Sequence, residues 1–118
     1  MIEQKNPLVL AFVGDAVMTL HVRERLSKRD GKIGDLHFAA SALVCAAEQS
    51  RVYDAVCSSF TQIEAEIANR ARNVKHKTLP KNQSLSDYIK ATALEAVIGY
   101  NYLTQNHKRV EELINNVN

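Results

Sequence analysis

The sequence predicts an all-α protein. Four glycines and two prolines punctuate 118 residues, apolar residues recur at helical rather than alternating spacing, and helix-start signals stand before most apolar stretches. A chain of 13.2 kDa fits one domain with a single continuous core, so residues 1–118 are expected to form one unit.

Asn6 followed by Pro7 announces the first helix, the amide as N-cap and the proline in the first helical position. It runs to about Leu26, where the polar stretch Ser27 to Gly34 breaks it. Asp35 is the expected cap of a second helix over Leu36 to about Gln49, continued through Val56 by Val52 and Val56. Thr61 and Glu64 stand at capping-box spacing and open a helix through Ile63, Ile67 and Ala71. His76 to Gln83 reads as a displayed loop around Pro80. Ser84 or Ser86 starts the next helix, to about Leu103, and a shorter one follows from His107 to Ile114.

A net charge of +2 and a pI near 8.6 are too mild to announce nucleic-acid binding by themselves, so that inference needs local clustering. Cys45 and Cys57 lack CxxC or Cys/His spacing, which points away from zinc and redox chemistry and toward buried free thiols. The longest apolar run, Leu8 to Val13, is far too short to span a bilayer, and no secretory leader is evident. The expectation is a cytoplasmic protein that does not engage membranes.

Two solitary acids carry the chemistry. Asp15 is the only acidic residue between Asn6 and Val22, and Glu95 the only charged residue between Ala91 and Leu103. Burying an unpaired carboxylate costs several kcal/mol or forces it to take a proton. Ala11 and Thr19 flank Asp15 at four residues, as Ala91 and Gly99 flank Glu95. Such small-residue seams let two helices approach closely and would bring both carboxylates into one cleft, where hard oxygen ligands suit Mg²⁺, with Mn²⁺ as a substitute. Taken singly, either acid reads equally well as a carboxylate satisfied by arginine or backbone donors.

Between Asn69 and Asn82 no acid interrupts Arg70, Arg72, Lys75, His76, Lys77 and Lys81. Displayed cations neutralise phosphates, and amides such as that of Asn73 position a backbone. The alternative is a solvated loop complementing the C-terminal end of a helix dipole. Arg70 and Arg72 lie closest to the helix body, so one of them is expected to pack internally.

These residues resemble a known family. Leu10-Ala11-Phe12-Val13-Gly14-Asp15-Ala16-Val17 is similar to the signature helix of ribonuclease III nuclease domains, and Leu94-Glu95-Ala96-Val97-Ile98-Gly99-Tyr100 to their second acidic motif. Gly34-Asp35-Leu36-His37, Ala42-Leu43-Val44, Arg70 to Lys75 and Thr78 to Asn82 resemble the compact bacterial branch called Mini-ribonuclease III. The resemblance implies an all-helical nuclease-domain bundle without a double-stranded-RNA-binding domain. It further implies a homodimer that cleaves double-stranded RNA, typically in maturation of 23S ribosomal RNA precursors, leaving 5′ phosphates. Asp15 matches the family's catalytic, metal-binding aspartate, and Glu95 its metal-binding glutamate. Full-length ribonuclease III enzymes carry further acids where this chain has Ala11 and Thr92, so water and phosphate oxygens are expected to complete the metal shell. Two rivals remain at this level: a non-catalytic RNA-binding or ribosome-associated protein of the same fold, and a helical metal-dependent nucleotide hydrolase.

Overall fold

A computed structural model describes residues 1–75 and 84–118. Its order is α1 (Pro7–Leu26), α2 (Ile33–Val44), α3 (Ala46–Val56), α4 (Gln62–Arg72), α5 (Leu85–Leu103) and α6 (His107–Ile114). Single 3-10 turns precede α1 at Ile2–Gln4 and follow α3 at Cys57–Ser59. The described residues contain no strand, in agreement with the all-α expectation.

The start signals act as the sequence indicates. The Asn6 side chain accepts from the Leu8 N–H at 2.9 Å, with Pro7 in the first turn. Thr61 and Glu64 close a reciprocal capping box, and Ser84 accepts from the Asp87 N–H at 3.0 Å. The basic loop from His76 to Gln83, with His76, Lys77 and Lys81, lies outside the described residues.

Three expectations are corrected. Asp35 is not a cap: α2 starts at Ile33 after Lys32, and Asp35 sits in the first turn, where its charge suits the helix dipole. The stretch from Leu36 to Val56 is not continuous. Cys45 adopts an extended conformation, ψ 160°, and separates α2 from α3. Because Cys45 stands at this break rather than on a core-facing helix stripe, it is exposed, and Cys57, at the following 3-10 turn, is half-buried. Both thiols are free, but neither is buried.

Helix α5 is central, with packing partners in α1, α3, α4 and α6. Its residues from Ala91 to Leu94 and Ala96 to Gly99 are buried on every side, as expected of a helix enclosed by others. Helix α1 buries a ridge at four-residue intervals, Leu10, Gly14, Met18, Val22 and Leu26, the row that lets helices interdigitate. The opposite face of α1 stays apolar yet exposed, with Phe12 at 79% and Leu20 at 60%.

The α1–α5 crossing is built on missing side chains. A Cβ on Gly14 would lie 1.8 Å from the Glu95 carbonyl oxygen, and one on Gly99 would lie 1.9 Å from that of Leu10. Main chain meets main chain, and no rotamer adjustment could relieve the clash. Gly99→Ala is therefore expected to destabilise the fold by about 3 kcal/mol or more, the upper end for overpacked cores. Gly34, in the first turn of α2 with nothing near its would-be Cβ, provides the contrast. Gly34→Ala should be neutral or stabilising by up to about 1 kcal/mol. Urea unfolding of both variants measures the difference.

Candidate active site

The glycine crossing determines where the acids fall. Gly14 lies against the backbone of Glu95, so Asp15, the next residue on α1, is delivered to the Glu95 carboxyl, and the two side chains are hydrogen-bonded. The acids therefore share one site, although 80 residues separate them. Their surroundings are unequal. Asp15 is exposed on the flank of the crossing rather than buried in it, while Glu95 is half-buried. Burial, reinforced by the neighbouring Asp15 charge, pushes the Glu95 carboxyl up to about 9, and a hydrogen bond from Gln49 acts in the opposite direction.

This donor set fits a hard divalent cation. Two carboxylates in contact cannot both ionise cheaply near neutrality unless a positive charge replaces the proton between them. The set is also sparse: no group of three or more His, Cys, Asp or Glu side chains among the described residues is arranged around a common metal position. A cation held here would need water and substrate oxygens for its remaining ligands. Ala11 and Thr92 are both buried, and the Thr92 hydroxyl donates to the Tyr88 carbonyl oxygen of its own helix at 2.9 Å.

The basic residues divide by environment. Both arginines, not one, have internal partners. The Arg70 guanidinium donates to the carbonyl oxygens of Glu3 and Lys5, and that of Arg72 lies 5.9 Å over the Tyr53 ring. Asn73, at the end of α4, and Lys75 are exposed.

A further acid has a second role that its capping-box spacing did not announce. Glu64, besides closing its capping box, is 2% exposed and receives Arg109 in a fork, Nε at 3.0 Å and Nη2 at 2.9 Å. Asn101 Nδ2 adds a third side-chain donor bond at 2.8 Å. Burial alone would raise the Glu64 carboxyl, but these donors outweigh it and hold the group below the usual carboxylate range. The cluster joins α4, α5 and α6 structurally.

Residues 8–106 match the family model for the Ribonuclease III domain, and a ribonuclease III nuclease domain is the class that this fold and this acidic pair define. A Mini-ribonuclease 3 of Brevibacillus brevis is 40% identical over 110 residues, covering 92% of this chain and 82% of that one. One from Enterococcus faecalis is 38% identical over 116 residues, covering 96% and 88%. A crystal structure of a Fusobacterium nucleatum protein superposes with a TM-score of 0.89 at 33% identity, over 95% of this chain and 90% of that one. The chain belongs to the ribonuclease III family of endoribonucleases, in its Mini-ribonuclease III branch. This membership removes the nucleotide-hydrolase rival.

The unequal pair has a thermodynamic consequence in metal-free protein. An unfolded Glu95 would titrate near 4.5 and the folded one near 9. Between those values the folded state binds more protons, so stability is full below 4.5 and falls as pH rises toward 9. Glu95→Gln should remove that slope and melt higher than the parent at pH 8 in chelator. Melting both proteins from pH 5 to 9 checks this, in a window where Glu64, whose stabilisation is lost only on acidification, stays ionised.

Proposed function

We propose that this protein is a Mg²⁺-dependent endoribonuclease that cleaves double-stranded RNA, with 23S ribosomal RNA precursors as its substrate and the cytoplasm as its compartment. The observation that supports this most is the Asp15–Glu95 pair, hydrogen-bonded across the α1–α5 crossing in a chain similar to Mini-ribonuclease 3 over most of its length. Asp15 and Glu95 would hold the cation. When bound, Mg²⁺ supplies the positive charge that makes a water nucleophilic and steadies a departing oxygen.

The chain's own task is placement. The crossing holds both carboxylates on rigid helices, and the half-buried position of Glu95 limits how water can screen it. Cleavage is hydrolytic, with water attacking phosphorus and the 3′ oxygen leaving, so the products carry 5′ phosphates. It needs no side-chain nucleophile. Lys75 and Asn73, with His76, Lys77 and Lys81 by sequence, would contact phosphates of the duplex, whereas Arg70 and Arg72 brace the base of that segment.

Homodimerisation belongs to the same proposal. Phe12, Ala16, Leu20 and Tyr102 line one apolar face that also includes Asp15. A face of this kind on a small protein is suited to burial against a partner, and a second copy meeting it about a two-fold axis would set two acidic pairs near one another. That arrangement suits cutting both strands of a duplex. Ala11 and Thr92 favour the alternative, an RNA-binding protein without turnover, because neither contributes an acid to the site.

A gel assay on duplex RNA with Mg²⁺ decides between these. Cleavage is expected from the parent and lost in Asp15→Asn and in Glu95→Gln, each of which should remain folded and retain duplex binding. Near-native turnover by either variant, or parent cleavage undiminished in excess chelator, would remove the assigned site. Independently, Phe12→Arg should convert the dimer to monomer in sedimentation, and an unchanged mass would place the dimer surface elsewhere.

A further inference from the structure

Gln49 is a polar side chain sealed in the core. It is 2% exposed, near the start of α3, the helix interrupted from α2 at Cys45. Its Nε2 donates at 3.1 Å to the Val44 carbonyl oxygen, five residues back across that break. This accounts for one of two N–H donors, and a buried amide proton left without an acceptor is costly. The same amide stands close to the Glu95 side chain of α5. Helices α3 and α5 pack along each other.

We infer that Gln49 is a positioning residue for the acidic site, its amide fixing the Glu95 carboxylate against the α2–α3 break. The inference rests on the proposed two-acid metal reading and goes beyond it. An acceptor-only carboxylate carrying two lone-pair-bearing oxygens can give one to Gln49 and leave the other for a cation. A group held in this way loses less rotamer freedom when a cation arrives. The break at Cys45 thereby gains a role. It turns the Val44 carbonyl away from a helical partner and offers it to Gln49, which locks the amide in one orientation.

The test uses Mn²⁺ as the probe and melting temperature as a readout separate from turnover. Gln49→Met and Gln49→Leu keep bulk without a donor, and Asp15→Asn controls for the site itself. The parent should melt progressively higher with added Mn²⁺, and Asp15→Asn should not. For folded Gln49→Met, the Mn²⁺ concentration at half effect should rise about tenfold, as for other partners that orient metal ligands. Turnover should fall at limiting metal and recover at saturating metal, with the KM for duplex RNA unchanged. A folded Gln49→Met or Gln49→Leu with the parent's Mn²⁺ midpoint overturns this inference alone. Failure of both variants to fold also overturns it, since Gln49 would then serve the break and not the site. A parent whose melting ignores Mn²⁺ overturns the metal reading, and this inference with it.

Discussion

The crossing of α1 and α5 through Gly14 and Gly99 is the constraint on which the rest of the molecule depends. With would-be Cβ positions under 2 Å from the facing carbonyl oxygens, the two helices meet at a separation that only glycine permits. Everything functional is referred to that contact. It sets Asp15 beside Glu95, makes α5 the centre around which α3, α4 and α6 gather, and turns the opposite stripe of α1 outward with Phe12 and Leu20 exposed. Asymmetry between the acids also originates there. The helix that is enclosed carries the half-buried carboxylate, and the helix with a free face carries the exposed one.

A second polar centre holds the far side of the bundle. Arg109 brings α6 to Glu64 on α4, Asn101 joins from α5, and Arg109 Nη2 also donates to the Ser59 carbonyl oxygen at 3.1 Å. The buried Glu64 and the half-buried Glu95 illustrate opposite solutions to one problem. Glu64 has a forked guanidinium and several N–H donors, so it stays charged. Glu95 has a carboxylate for a neighbour and a single amide, so it holds its proton well above the usual carboxylate range. Physical chemistry alone thus separates the structural acid from the one suited to a metal.

Much of this was legible in the residues. Asn6-Pro7, Thr61 with Glu64, and Ser84 act through bonds within their own first turns, so local sequence is enough to find them. Asp15 and Glu95 were visible because each is the sole acid in an apolar stretch. The seam was read through Ala11, Thr19, Ala91 and Gly99, whereas the contact itself uses Gly14 with Gly99. The break at Cys45 had no local signal: no glycine or proline marks it, and the alanine-rich stretch continues helically on both sides. Its stabilising partner is the Gln49 amide, whose other contact lies on a helix much later in the chain. Glu64 was hidden for a related reason. Its capping role explained it locally, and Arg109, 45 residues away, is a long-range partner.

That the two acids lie at opposite ends of the sequence bears on how the protein comes into being. Joining α1 to α5 closes a loop of some 80 residues, a contact that costs chain entropy early and is rewarded only when the intervening helices have docked. A fragment that holds α1 without α5 carries one acid of the pair and not the other. Because the pair is assembled by the tertiary fold, a cation bound to both acids would draw the whole folding equilibrium toward the native state.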